Sequence, residues 1–284
     1  MKHIVGFSGG IDSQACAGLV LDKYGPDDVI LLNTSAGENE HEITTEFIRW
    51  YSDNVHPVIT VPALVSDLWA HDGLRVHVSE KKAREKGYLP EQELKFGDMM
   101  LLKGRGPSSQ AQFCTEILKL RPIRRWLKEN MKDDFERYTG VRRDESENRK
   151  NTPDREWDKF FDCYVNHIVA GWAKVQCFLF VQERGEKYNP LYLKGFLRIG
   201  CAPCINCRKD EIELWDYHFP EVIVKVRGYE TLSNRTFFPP IVPGRHINDI
   251  DDVVQWSKTE HGGRQYPLVP KEHTACESKY GLCE

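Results

Sequence analysis

"HIVGFSGGIDSQACAGLVLDKYG", residues 3–25, decides the fold class. His3–Phe7 is a short apolar run that reads as a buried strand. "SGGIDS" follows as a tight turn, and "QACAGLVLDKYG" reads as a helix ended by Gly25 and Pro26. A glycine pair lets the backbone turn sharply and approach an anion closely. Successive amides in such a turn form a concave nest, and the following helix aims its positive end at the same point. Ser8 and Ser13 add hydroxyl donors. The chemistry suits a phosphate or pyrophosphate. The pattern is not a Walker A loop, because no Gly-Lys-Ser/Thr closes it, and it lacks the third spaced glycine of a Rossmann fingerprint.

The pattern continues outward from this loop. "DVILLNTS" (28–35) is a second apolar strand, "EHEITTEFIRWYSDN" (40–54) a second helix, and "HPVITVPA" (56–63) a third strand. Strands alternating with helices predict a parallel sheet with helices on both faces, and such a sheet offers its ligand site at the carboxyl ends of its strands. Residues 64–113, rich in glycine and charge, read as an irregular excursion over that site. A helix is expected from Phe113 to Met131, a strand at "FERYTGV" (135–141), and a helix over "HIVAGWAKVQCFLFVQERG" (167–185), interrupted by "NPLY". Beyond Cys207 the chain becomes rich in proline and aromatics ("FFPPIVPG"). The expected division is 1–195 as the nucleotide-binding α/β domain and 196–284 as a Cys/Pro-rich cover and tail. Within that segment, 229–246 reads as packed cover rather than a docking surface.

The 284 residues are 40% hydrophobic and 29% charged, enough for a core beneath a well-solvated surface. The sequence has no apolar run of bilayer length and no signal-peptide pattern at its start, so a cytoplasmic protein without membrane contact is expected. A net charge of −4 gives no global field for nucleic acid. "LKLRPIRRWLKEN" is locally basic through Lys119, Arg121, Arg124, Arg125 and Lys128, and its simplest reading is a solvated helix face. Nothing in the sequence fixes the oligomeric state.

Nine cysteines in a reducing compartment argue against structural disulfides and toward metal or catalysis where they cluster. Cys201, Cys204 and Cys207 recur at intervals of three in "GFLRIGCAPCINCRKDEI". A redox dithiol uses two such cysteines. Three at this spacing suit an iron–sulfur cluster completed by a distant fourth, and four-thiolate zinc is the competing metal. Gly200, Pro203 and Asn206 mark the stretch as a loop rather than a core strand.

A family resemblance gathers these motifs. "SGGIDS" resembles the PP-loop of the ATP pyrophosphatases. "NTSAGENEHEITTEFI" (33–48), "CTEILKLRPI" (114–123), "GVRRDESENR" (140–149) and "NPLYLKGFLRIGCAPC" (189–204) are collinear with segments of the phosphoadenosine phosphosulfate reductase branch, which includes enzymes of DNA phosphorothioation and tRNA thiolation type. The resemblance implies an adenine nucleotide α-hydrolase-like fold. It implies that Ser8, Gly9, Gly10, Asp12 and Ser13 hold phosphate or sulfate, and that Asn33 and Ser35 lie near adenine or ribose. Lys119, Arg142, Glu145, Ser146 and Arg149 would serve the nucleotide, with Asp12 and Lys119 in catalytic roles. Guanidinium forks match phosphate oxygens well, although Arg142 and Arg149 also have Asp144, Glu145 and Glu147 as nearby partners.

Cluster-bearing members of that branch use a cysteine pair where this chain has Cys114 and Thr115. The expected metal set is Cys114, Cys201, Cys204 and Cys207, with Cys207 replacing the missing partner and Cys276 or Cys283 as the alternative fourth ligand, around a [4Fe–4S] cluster or zinc. The tail "HTACESKYGLCE" supplies Cys276 and Cys283 as candidate nucleophiles, but not in the reductase pattern. The expected activity is an ATP pyrophosphatase, with Mg²⁺, that adenylylates an acceptor for sulfur insertion. Its implied partners are ATP, a sulfur donor such as a cysteine desulfurase, and a nucleic acid as possible acceptor. The alternatives are reduction of adenylylsulfate or phosphoadenylylsulfate, and a non-catalytic nucleotide or iron–sulfur sensor.

Overall fold

The computed structural model describes residues 1–69, 73–108, 111–242 and 245–259. Strand β1 (Lys2–Gly6) leads into helix α1 (Ile11–Tyr24), which stops where Gly25 takes a φ of 81° ahead of Pro26. Then come β2 (Val29–Asn33), α2 (Glu42–Asn54) and β3 (Val58–Thr60). Two short helices follow, α3 (Glu80–Glu85) and α4 (Phe96–Lys103). The short α5 (Phe113–Thr115) passes through a π-helical turn, Glu116–Leu120, into α6 (Arg121–Asn130). The sheet is completed by β4 (Phe135–Tyr138), β5 (Arg155–Asp158) and β6 (Cys163–Asn166).

The sheet order is β3-β2-β1-β4-β6-β5, parallel except for the antiparallel edge strand β5. The chain winds away from β1 in both directions, so the switch point lies between β1 and β4. The loop after β1 opens there, where such sheets bind ligands. Alternating side chains serve two cores, as the period of a strand dictates. Val5 and Leu31 pack with Phe47, Ile48 and Tyr51 on the α1–α2 face. Ile4 and Leu32 pack with Ile123 and Leu127 of α6 on the other. The expected α/β sheet with helices on both faces is the observed one.

Three sequence expectations need correction. The 64–113 stretch is not irregular: α3 and α4 lie within it, and Val65, Leu68, Leu94, Phe96, Met99, Met100 and Leu102 are buried. Its charges are spaced so that apolar residues still form an inward face. The helix expected over 167–185 shortens to α7 (Lys174–Glu183). Residues 167–172 are turns instead, with buried His167 bonded to Thr139 Oγ1 at 2.6 Å. Strands β5 and β6 were not anticipated. Each is four residues long; β5 is largely polar and β6 buries only Cys163 and Val165, so neither has the apolar run that marks the central strands.

The C-terminal segment contributes α8 (Lys209–His218), α9 (Pro220–Ser233), a short antiparallel pair (Ile241–Val242 with Arg245–His246) and α10 (Ile250–Ser257). Phe237 and Phe238 are buried, while Arg235, Pro239 and Pro240 beside them are exposed. Leu94, Phe96 and Met99 share one core with Ile199, Val226, Tyr229 and Trp256. Among the described residues no helix is long and apolar enough to cross a membrane.

Candidate functional site

The phosphate loop is held from within by its own hydroxyls. Ser13 Oγ donates to the Gly10 carbonyl at 2.9 Å and accepts from the Ser8 amide at 3.2 Å. The Gly10 amide donates to Ser8 Oγ at 3.4 Å. Gly9 has a φ of 80°, a left-handed conformation in which a side chain would be strained and would also press on Ile48 and Thr44. Gly140, just past β4, backs the loop. A Cβ there would lie 2.6 Å from the Asp12 carbonyl carbon and the Ser13 nitrogen, so only glycine lets the two segments touch.

The "NPLY" segment fixes the loop from the other side, a role the sequence reading did not assign. Asn189, fully buried, donates to the Gly9 carbonyl at 3.4 Å and to Thr44 Oγ1 at 3.2 Å, and its carbonyl accepts from the Leu191 amide at 3.0 Å. The Ile11 amide donates to the Tyr192 hydroxyl at 2.9 Å. An Asn immediately before a Pro is a capping signal, and it was available in the sequence.

Arg142 and Asp12 form a buried ion pair at 2.7 Å, and Arg142 also bonds Asp144. Burial pulls the Arg142 pKa down, but the carboxylates of Asp12, Asp144 and Glu145 outweigh it and the net shift is upward. Arg149 is buried and pairs with Glu145. Burial raises the Glu145 pKa against the opposing pull of Arg149. Both arginines thus pair with neighbouring acids in a buried network, and Arg142 reaches the phosphate loop through Asp12. Buried Ser146 Oγ has no hydrogen-bond partner among the described residues. Asn33 is buried at the end of β2 and donates to Thr60 Oγ1 at 3.5 Å, while Ser35 is half-buried in the loop that follows.

The cysteines meet at a second place. Cys114, Cys201, Cys204 and Lys119 line one cavity of about 20 Å³, together with Asn39, Asn206 and Phe96. The loop after β2 forms one wall: Glu40 bridges to Cys201, the Ala202 amide donates to the Asn39 carbonyl at 2.6 Å, and Asn39 Nδ2 donates to the Pro203 carbonyl at 3.2 Å. Arg198 braces the other side through Glu211 and the Asn206 carbonyl. Asn39 Oδ1 and Asn206 Oδ1 are buried acceptors with no hydrogen-bond partner among the described residues. Both residues line the cavity, where a water can satisfy them.

Cys207 is not on this wall. It is buried in the apolar core, where burial raises its thiol pKa well above the ordinary value. Among the described residues no group of three or more His, Cys, Asp or Glu side chains is arranged to hold a metal ion. The cavity has room for about one water. As arranged, the four expected thiols do not form a closed ligand set for a cluster or for zinc. Cys276 and Cys283 lie outside the described residues. The basic helix is less solvated than expected: Arg121 is buried and donates to the carbonyls of Asp67, Trp69 and Arg75 at 2.6–2.7 Å.

A doubly wound sheet with a glycine- and serine-rich loop at its switch point defines the α/β class of this domain. Residues 2–207 match the model of the phosphoadenosine phosphosulfate reductase domain, and the chain belongs to that family. A 37.8 kDa protein of Escherichia phage 186, described as uncharacterized, is 29% identical over 99% of this chain and 96% of its own. The adenosine 5′-phosphosulfate reductase of Streptomyces coelicolor is 34% identical over 41% of this chain, which spans 45% of that enzyme. A phosphoadenylyl-sulfate reductase structure from Candida auris superposes with a TM-score of 0.46 at 17% identity, covering 71% of this chain and 81% of its own.

Proposed function

We propose that the chain binds an adenine nucleotide at Ser8–Ser13 and activates an acceptor by adenylylation, so that sulfur held at the thiol cavity can be inserted into it. The supporting observation is one continuous strap. Residues 189–204 grip the phosphate loop through Asn189 and Tyr192 and end at Cys201 and Cys204. In this reading an acceptor oxygen attacks the α-phosphorus of ATP and the bond to pyrophosphate breaks. The loop amides and hydroxyls hold the departing pyrophosphate, and Arg142 stabilises charge on it through a geometry fixed by Asp12. A Mg²⁺ ion brought by the nucleotide supplies further charge neutralisation. A sulfide-level nucleophile, delivered by a sulfur-donor protein to the thiol cavity, then displaces AMP. Lys119 on the cavity wall offsets the negative charge of that nucleophile. No step is assigned to a metal cluster.

The test is pyrophosphate release from ATP by the chain with its acceptor and donor. Ser8→Ala and Asp12→Ala are expected to abolish it, and normal turnover in both would end this assignment. The 34% identity to an adenosine 5′-phosphosulfate reductase favours a second reading, sulfonucleotide reduction with Cys276 or Cys283 as nucleophile. Sulfite release from adenylylsulfate or phosphoadenylylsulfate with a thiol reductant separates it from the first.

A further inference from the structure

The thiol cavity is too small for an acceptor molecule, but a much larger groove shares its wall. The groove is about 660 Å³ and runs between residues 104–108 and 235–240. That is the size range of a site for a nucleotide-sized ligand. Ile205, which lines the thiol cavity, also lines the groove. Phe96 of the cavity stands 6.1 Å, ring to ring, from Phe237 of the groove. One layer of side chains therefore separates the two spaces.

The groove's chemistry is one-sided. Among the described residues its charged lining side chains are Arg105 and Arg235, with no carboxylate, and Ser108 and Thr236 add hydroxyls. Both arginines are exposed. The Arg105 guanidinium sits 5.3 Å over the ring of Phe113, the residue before Cys114, so its position is tied to the thiol cavity. The charge around it is also positive: Lys103 lies 4.5 Å from the same ring, and Arg75 and Arg121 share the single carboxylate of Glu116.

We propose that this groove binds a phosphate-bearing ligand, nucleotide-sized or a segment of a single strand, and holds it beside the thiol cavity as the acceptor. Two exposed guanidinium groups and two hydroxyl donors on one groove suit phosphate oxygens, and the absence of a carboxylate among the described lining residues leaves their charge available. That the ligand is the sulfur acceptor rests on the proposed function; that the groove binds phosphate does not.

Binding is measured by titrating the full chain with thymidine 5′-monophosphate and with a short 5′-phosphorylated oligothymidylate, probes without adenine. Saturable binding of either probe, weakened about tenfold in Arg105→Gln/Arg235→Gln, is the expected result; which probe binds identifies the source of the phosphate. Lys128→Gln, on the basic helix elsewhere, should leave it unchanged. ATP affinity, measured separately, should be unaltered in the arginine variant. No saturable binding of either probe, equal affinity in the arginine variant, or equal weakening by Lys128→Gln would overturn the proposal. A drop in ATP affinity alongside probe affinity would also overturn it, by making the groove part of the first site. Loss of pyrophosphate release with intact probe binding would instead count against the proposed function alone.

Discussion

Glu116 gathers two arginines and a histidine where the helical segment before β4 begins: Arg75 at 3.0 Å, His77 at 3.0 Å and Arg121 at 2.6 Å. Burial pushes its pKa up, but hydrogen bonds from His77 and Arg121 dominate and hold it at about 2, below the ordinary 4.5. A carboxylate depressed on folding stabilises the protein above its unfolded pKa and loses that contribution as pH falls through the folded one. The account therefore predicts a fall in unfolding free energy between pH 4.5 and about 2 that Glu116→Gln shows to a smaller extent. Denaturant titrations at several pH values would check it, and identical slopes in both proteins would contradict it. This network was not legible in the sequence, because Arg75 and His77 lie 41 and 39 residues from Glu116. Lys119 and the cysteines were legible as residues, but their grouping was only partly so: Cys114, Cys201 and Cys204 converge, whereas Cys207 turns into the core.

Among the elements, the π-helical turn Glu116–Leu120 has a direct consequence for the site. Residues five apart on an α-helix point about 140° away from each other. The Arg121 amide bonds back five residues to the Glu116 carbonyl, and the widened turn brings Cys114 and Lys119 to one cavity. A sequence that reads simply as helix over this stretch does not disclose such a turn. The central strands were readable, since "HIVGF" and "VILLN" are apolar runs buried on both faces, whereas "REWD" at the edge and "CYVN" beside it carry no such signal. Gly140 is the point at which β4 leans on the phosphate loop. Gly140→Ala should destabilise the fold by about 1–3 kcal/mol through overpacking and weaken nucleotide binding in parallel. Thermal unfolding and nucleotide titration of the same variant test this; wild-type values for both would show that the loop yields without cost.

For the molecule as a whole, the sheet supplies the phosphate loop and the C-terminal helices help to enclose the cysteine loop. The latter share a core with residues 63–118, so the cavity depends on segments far apart in sequence. The motifs disclosed the sheet and the loop because local rules govern strand–turn–helix junctions. The C-terminal helices do carry helical spacing, Val222, Ile223, Val226 and Tyr229 in α9 and Ile250, Val253 and Val254 in α10, but the packing of α9 against α4 is non-local and no periodicity discloses that partner. The family assignment covers residues 2–207, while the groove beside the cavity draws half of its wall from beyond them. The central claim concerns the loop, and equilibrium titration with ATP tests it most directly. Saturable binding by the wild-type chain, reduced at least about tenfold by Ser8→Ala/Ser13→Ala with the fold intact by circular dichroism, is the predicted result. Undiminished binding in that double variant would contradict the account.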